Sequence, residues 1–586
     1  MKREPSKYQK EILDWVKNGH GSGLVNALAG TGKTTTLEMV AKAVPSKMLF
    51  LAFNKHIADE LSERKDIKPL IDSKKLKIYT VNALGNMTLI DYCKNKLDKD
   101  PVLKSSKLTS DILDGVILDR LRRENKELPH GAMESKLAMD TIKKHAKTCC
   151  DLVRCHCIDY KDHKAIDHLI SDENLFVFRK EILQITSIPR LEWSFIVSDA
   201  IEESIDFFEK TGEYDFLEQI FLPVQLQLFP PAWLKWYTEF VGVDEAQDIS
   251  TLQQRFIKKL QYMNPYKPTR YLFVGDEHQA IYKFNGADCN SINHIRSQFD
   301  AKDLHLNICY RCPKKALILA REHAPLIEDA PNAKEGTINI IENIDIVNYA
   351  NDGDLVMARK NKDLVTIYLM LIKAKKRVYF KKGEFLFRIV KEINDRKRIK
   401  TIDDVENFIK KEKQKEINKK ESGEKEVKNV IDMDEEDVFD IMSILLLFFK
   451  LSYEDLDFEN NAFGFTEFVK SIAKSEPSEN CIVLGSIHAM KGLEANNVFI
   501  VNYFDMPYEF GMGGEYYIQE KNLKYIAETR TKENLYLCYE DEDETRGFLE
   551  EHSSLVDSCP FLEKEIEEEM SEDEDCYDYE EDEEDY

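Results

Sequence analysis

Residues 23–34 read Gly-Leu-Val-Asn-Ala-Leu-Ala-Gly-Thr-Gly-Lys-Thr, a short apolar run that passes through two glycines into Lys33 and Thr34. A strand, a glycine-rich turn and a helix in that order is the local signature of an α/β fold. Gly30 and Gly32 let backbone N–H groups approach phosphate oxygens closely. Lys33 is placed to reach the β and γ oxygens, and Thr34 offers a hydroxyl to Mg²⁺ at the positive end of the helix. Ala27 stands where this loop pattern has its first glycine, a position that accepts a small residue, and Ala29, Thr31 and Thr35 complete the cradle. Gly-x-Gly-Lys-Thr behind an apolar strand has few other uses, so a plain glycine-rich turn explains the stretch poorly.

Working outward, the runs 23–28, 47–53, 77–81, 239–244 and 270–275 read as buried strands of one parallel sheet. They predict a first lobe over 1–90 and 213–300, split by a helical insertion over 91–212. A second set of runs, 336–341, 354–358, 481–486, 498–501 and 534–538, predicts a second α/β lobe over 301–388 and 481–560. Its own insertion, 389–480, is short and rich in Lys and Glu, with a helical stretch over 435–451, and is expected to be partly disordered.

The chain has 586 residues and a formal charge of −26, which sits badly with a polyanionic partner until its position is noted. From Glu563 to Tyr586 sixteen Asp and Glu stand against one Lys, which leaves −11 on the other 562 residues. The segment 561–586 is therefore expected to be a disordered acidic tail, open to a protein partner. The body is only mildly acidic, and binding a single nucleic-acid strand needs a local positive groove with stacking aromatics rather than a basic whole, so the charge does not exclude nucleic acid. No apolar run approaches the length of a membrane span, and residues 1–13 lack the pattern of a secretory signal. The expectation is an intracellular protein, cytoplasmic or nuclear, whose 12 Cys are thiols. His145, Cys149, Cys150, Cys155, His156, Cys157, His163 and His168 crowd one window, but their spacing fits no standard zinc pattern, and helical burial of small side chains is the simpler account.

The partner of the phosphate loop is Phe240-Val-Gly-Val-Asp244-Glu245-Ala-Gln-Asp248, a strand that ends in adjacent carboxylates. Asp244 would hold Mg²⁺ while Glu245 orients and deprotonates a water, the division of labour that nucleotide hydrolysis requires. Alone, an acidic pair after a strand is usually a solvated strand end. Together with Val274-Gly-Asp-Glu-His-Gln279-Ala-Ile-Tyr-Lys-Phe-Asn-Gly-Ala287 it resembles motifs II and III of the UvrD/Rep-type superfamily 1 helicases. Gln9, FNKHIADEL from Phe53, CYRCP from Cys309, SIHAMKGLE from Ser486 and LKYIAETRTKENLYL from Leu523 follow in the family's order, covering about residues 5–540.

The resemblance implies two RecA-like lobes that use ATP and Mg²⁺. It implies that Gln9 reads the adenine edge, Tyr310 stacks on the base and Glu494 lies near the ribose. Gln279 would sense the γ-phosphate, and Arg311 and Arg530 would act as arginine fingers, so that hydrolysis is coupled to lobe closure. For nucleic acid it implies stacking by Phe53, Tyr282 and Phe284, which suits a motor that ignores sequence. Asn54, Thr80 and His488 are weaker strand contacts. The implied activity is an ATP-dependent 3′-to-5′ helicase or translocase on single-stranded or tailed duplex DNA, serving replication, repair or recombination. Asn285 and Asn82 stand where the family commonly has Arg and His, and the second insertion is shorter than the family's. Two other activities fit the same residues: a translocase that unwinds little, and an RNA-directed motor, since stacking does not read a 2′-hydroxyl. A fused nuclease is not expected, for the stretch after Leu537 is little more than the acidic tail.

Overall fold

A computed structural model describes residues 4–104, 107–128, 132–171, 192–281, 290–396, 398–421, 435–452, 456, 458–474, 476, 480–508 and 514–561. The chain divides into two compact units, residues 1–307 and 308–586.

The first unit is built on six parallel strands: β1 (Ser22–Ala27), β2 (Met48–Ala52), β3 (Leu76–Thr80), β4 (Phe240–Val243), β5 (Arg270–Gly275) and β6 (Ala301–Leu306). Their order is β3-β2-β4-β5-β1-β6, with Asn26 beside Gly275 and Leu51 beside Val243. The reason these runs are apolar throughout is visible in β2, which is buried on both faces. Leu49 and Leu51 enter one core with Leu24, Val241 and Phe273, while Met48, Phe50 and Ala52 enter the other with Val25, Phe240 and Leu272. A strand with helices on both sides has no polar face to show.

β6 departs from expectation. The sequence pattern places residues 301–306 in the second lobe, yet they pair with β1 from Ser22–Ala301 to Ala27–Leu306. As an edge strand it exposes Lys302, Asp303 and His305, so it lacks the apolar run by which the other strands are read. The helix Lys7–Asn18 is fastened to this sheet by Arg270, whose guanidinium lies 4.6 Å from the Trp15 ring and donates to the Trp15 and Val16 carbonyls at 2.9 Å each.

The insertion between β3 and β4 is helical: Val81–Tyr92, Lys107–Arg123, Ala132–Cys155, His163–Ser171, Trp193–Thr211 and Glu218–Gln225. Arg154 pins it from inside, donating to Ser204 Oγ at 2.9 Å and lying 3.4 Å from Glu218, with both charges fully buried. Cys149, Cys150 and Cys155 are buried on the helix Ala132–Cys155, where burial pushes their thiols up to about 12 and pushes His145 down to about 4. Among the described residues no three His, Cys, Asp or Glu are grouped to hold a metal ion.

The second unit repeats the plan with β7 (Thr337–Glu342), β8 (Leu355–Ala358), β9 (Val378–Phe380), β10 (Ile482–Ser486), β11 (Ala495–Val501) and β12 (Thr531–Tyr539), all parallel in the order β7-β12-β11-β8-β10-β9. These two sheets with helical insertions are the two RecA-like lobes. The Lys/Glu-rich segment is more ordered than its composition implied: Ile402–Glu421 is one helix. Ile402, Val405 and Ile409 bury one side of it, and Lys410 pairs with Glu406 at 2.7 Å one turn away. Residues 422–434 lie outside the described residues, as does the acidic tail from 562 onward, whereas Phe561 is buried with its ring 5.7 Å from Tyr539. Among the described residues no helix is long and apolar enough to cross a membrane.

Candidate active site

The carboxyl ends of β1, β4 and β5 lie side by side, and each delivers one part of the site. From β1 the chain turns through Gly30 and Gly32, with φ of 68° and 84°, into the helix Lys33–Ala43. That left-handed backbone is what requires glycine at both places. Thr31 is buried and turned inward, its hydroxyl donating to the Leu28 carbonyl at 2.8 Å. No side chain caps the helix Lys33–Ala43, although Ser6, Asn54, Thr80 and Ser250 cap other helices of this unit. Its first-turn N–H groups stand at the positive end of the dipole, where a helix favours an anion. Ala27 and Ala29 are buried beneath the loop, and Thr34 and Thr35 follow Lys33 in the first helical turn.

β4 ends in Asp244, buried, and Glu245, which adopts a left-handed φ of 49°. A non-glycine residue in that region costs roughly 1–3 kcal/mol and is held there by its surroundings. The Glu245 amide donates to Asp244 Oδ1 at 2.9 Å, and Lys33 Nζ lies 3.7 Å from Glu245 Oε2. Burial first, and then the neighbouring Glu245, push the Asp244 carboxyl up to about 7 against the pull of Lys33. A buried carboxyl beside a second carboxylate is an oxygen set that suits Mg²⁺, and the Thr34 hydroxyl, next in sequence to Lys33, is a further hard oxygen donor.

β5 leads into Asp276, fully buried, whose carboxyl is raised chiefly by burial. Gln279 Nε2 donates to Asp276 Oδ2 at 2.6 Å. Gln247 joins the two acidic strand ends: its Nε2 donates to Glu245 Oε2 at 2.6 Å and its Oε1 accepts the Asp276 amide at 3.0 Å. Asn26 Nδ2 donates to Glu277 Oε1 at 3.2 Å and so ties the end of β1 to the same cluster. Lys33, Asp244, Glu245 and Gln279 thus belong to one connected network. Gln9 reaches it from the helix Lys7–Asn18, its Nε2 donating to the Thr36 hydroxyl at 3.1 Å and standing 3.9 Å from where a Gly32 Cβ would be.

Three of the expected strand contacts, Phe53, Asn54 and Thr80, lie at the carboxyl ends of β2 and β3 in the same sheet. Phe53 follows β2 and is half-buried. Asn54 and Thr80 have structural tasks, capping their helices through the Ile57 amide at 2.9 Å and the Ala83 amide at 3.0 Å. Asn82 donates to the Phe216 carbonyl and to Gln219 Oε1, both at 3.3 Å. Phe216, given no role by the sequence, leaves 67% of its surface in solvent at this edge. Tyr282 and Phe284 lie outside the described residues.

In the second unit Tyr310 is exposed, and Arg311 Nε lies 2.5 Å from Glu494 Oε2 while Nη1 donates to the Thr529 carbonyl at 3.3 Å. Partial burial pushes the Glu494 carboxyl up, but Arg311 and Lys532 outweigh it and hold it below the usual range. Arg530 is buried and turned toward its own unit, with Nε donating to the Ile526 carbonyl at 2.9 Å. Burial, followed by repulsion from Arg311, lowers it to about 10. His488 keeps part of its surface open, yet burial of the ring and the charges of Arg359, Lys382 and Lys491 push it down to about 3, so it is a neutral imidazole.

Residues 8–300, half of the chain, match the profile of the UvrD/REP helicase N-terminal domain. The chain is 23% identical over 558 residues to the F-box DNA helicase protein 1 of Schizosaccharomyces pombe, covering 90% of this chain and 57% of that protein. It is 23% identical over 348 residues to the probable DNA helicase II homolog of Mycoplasma pneumoniae, 56% of this chain and 44% of that one. Over 120 residues it is 30% identical to DNA helicase II of Haemophilus influenzae, 20% and 16%. The chain thus spans about half the length of the first two. With the Gly30–Gly32 turn, the paired carboxylates Asp244 and Glu245 and the side chain of Gln279 joined at three adjacent strand ends, the chain belongs to the UvrD/REP helicase family.

Proposed function

We propose that the protein is an ATP-driven motor on single-stranded DNA that moves 3′ to 5′ and opens tailed duplexes in replication, repair or recombination. The observation that carries this reading is the Lys33, Asp244, Glu245, Gln247 and Asp276 network at the ends of β1, β4 and β5.

In this account the loop from Gly30 to Thr35 holds the phosphates through backbone N–H groups, and Lys33 neutralises the β and γ oxygens. Thr34 and Asp244 would hold Mg²⁺, which would supply neutralising positive charge to the phosphates. Glu245, kept in place by Gln247, orients a water and takes its proton, while Gln279 signals the presence of the γ-phosphate to the loop that follows. Gln9 and Tyr310 bind the base, Glu494 lies near the ribose, and Arg311 and Arg530 stabilise the charge that develops on the phosphoryl group. Phe53, Tyr282 and Phe284 stack on bases, with Phe216 added from its exposure beside Asn82; His488 is the weaker contact. A base step on an aromatic ring is worth roughly 1–3 kcal/mol whatever the base.

Strand displacement on duplexes with a 3′ or a 5′ overhang tests the reading. Opening of the 3′-tailed duplex alone supports it, and opening of the 5′-tailed duplex alone contradicts the polarity. The short second insertion favours one alternative, a translocase that unwinds little: its signature is DNA-stimulated hydrolysis with neither duplex opened. Stimulation by RNA in place of DNA would move the substrate assignment to RNA.

A further inference from the structure

Two cysteines bracket the segment that carries Tyr310 and Arg311: Cys309 ends a short strand and Cys312 precedes Pro313 and the helix Lys314–His323. Both are buried. Cys309 Sγ accepts the Cys312 amide at 3.4 Å, and Cys312 Sγ donates to the Thr529 carbonyl at 3.4 Å, the same carbonyl that accepts from Arg311 Nη1 at 3.3 Å. We propose that Cys309 and Cys312 are an oxidation site, and that a disulfide between them switches the nucleotide site off by displacing Tyr310 and Arg311.

The geometry favours closure. Cys309 Sγ already accepts the Cys312 amide and the two thiols are hydrogen-bonded to each other, so the sulfurs are neighbours, and the S–S bond of about 2 Å asks for a rotation of Cys312 toward Cys309. The rotation takes Cys312 Sγ away from the Thr529 carbonyl and tightens the chain across Tyr310 and Arg311. Arg311 then loses the arrangement that its hydrogen bond to Thr529 and its ion pair with Glu494 now set. The two thiols also differ chemically. Contact with Cys312 and nearby N–H groups pulls Cys309 down to about 7, whereas Cys312 is held well above the ordinary thiol value by Cys309 and by burial. Cys309 is the nucleophile and Cys312 the resolving thiol.

With hydrogen peroxide as oxidant, the Cys309 thiolate attacks one peroxide oxygen and the O–O bond breaks. This leaves a sulfenic acid and a hydroxide that takes a proton to become water. Cys312 sulfur then attacks the sulfenic sulfur, the S–O bond breaks, and the departing hydroxide takes the Cys312 proton as a second water. Two thiols are oxidised and one peroxide is reduced to two waters. A dithiol reductant reverses the step by exchange. In contrast, burial alone pushes up the thiols of Cys93 and Cys538 and leads the rise at Cys149, Cys150 and Cys155.

The switching half of this inference rests on the proposed role of Arg311, and the chemical half does not. The test is to treat the folded full-length chain with peroxide, quench it with catalase, alkylate with iodoacetamide and digest with a Lys-specific protease without reduction. The peptide Asp303–Lys314 is expected unlabelled and lighter by the two hydrogens lost. DNA-stimulated hydrolysis is expected to fall by roughly tenfold or more and to return with dithiothreitol. Cys312→Ser and Cys309→Ser are each expected to yield no such peptide, and Cys312→Ser hydrolysis to resist peroxide reversibly lost by the parent. Alkylation of both thiols after peroxide overturns the oxidation site. The linked peptide with undiminished hydrolysis overturns the switch. A chain with no ATPase before treatment fails the motor reading instead, and the peptide still decides the disulfide.

Discussion

Gln247 Nε2 donates to Glu245 Oε2 at 2.6 Å, and through the Asp276 amide on its Oε1 the same side chain couples the candidate base to the neighbouring strand. Glu245 sits in strained backbone, so its aim depends on what holds it. Gln247→Ala is expected to lower kcat for ATP roughly tenfold or more, about 1.4 kcal/mol, with little change in KM. Gln247→Glu is not expected to rescue, because it cannot donate and adds a charge beside Glu245 and Asp244. Steady-state hydrolysis by the two variants checks this; an unchanged kcat in Gln247→Ala removes the positioning role.

Gly275 has no room for a methyl group. A Cβ there would stand 2.7 Å from Gln247 Oε1 and 3.0 Å from the Gln247 nitrogen. Gly275→Ala is expected to cost about 1–3 kcal/mol as β5 and the Gln247 turn move apart. Thermal denaturation and hydrolysis should both suffer, and a variant that melts like the parent with full activity would show the contact to be loose.

Phe216 is open to solvent, so its removal should leave folding intact. Phe216→Ala is expected to weaken single-stranded DNA binding by roughly 1–3 kcal/mol, about fivefold or more, with an unchanged melting temperature. Fluorescence anisotropy of a labelled oligonucleotide reads the first and differential scanning fluorimetry the second. Equal affinity in variant and parent removes Phe216 from the DNA path.

Glu528 supplies a pH test of the second unit. Its carboxyl is buried, accepts from the Tyr503 hydroxyl at 2.9 Å and lies 3.8 Å from His323 Nε2. Burial lifts it from 4.5 to about 7, with Glu322 adding and Lys524 and Tyr503 opposing. A folded pKa above the unfolded one favours folding most below pH 4.5, and that stabilisation is lost as pH rises to about 7. The full swing is about 3 kcal/mol. Glu528→Gln keeps an oxygen for Tyr503 and cannot ionise, so it is expected to melt higher than the parent at pH 8, with the gap closing toward pH 5. A gap independent of pH would mean that Glu528 is not titrating in this window.

The central strands were legible because burial on both faces writes them as unbroken apolar runs, and the phosphate loop because its glycines answer a backbone demand at φ 68° and 84°. The edge strand β6 was not, since Lys302, Asp303 and His305 face solvent and only one neighbour covers it. The helix Ile402–Glu421 hid behind its charge, because three buried side chains per two turns are easily lost among Lys and Glu. Within the site, Lys33, Asp244 and Glu245 carried chemistry on their face. Gln247 and Phe216 did not: a glutamine becomes informative only when its two ends find partners on different strands, and a phenylalanine only when its ring is seen to remain in water.

The most direct measurement of the central claim is ATP turnover by the parent and by Lys33→Ala, each with and without single-stranded DNA. The expected result is turnover that rises with DNA in the parent and falls by roughly a hundredfold or more in Lys33→Ala under both conditions. Turnover in the parent that is indifferent to DNA and RNA, or that survives the loss of Lys33, would contradict it.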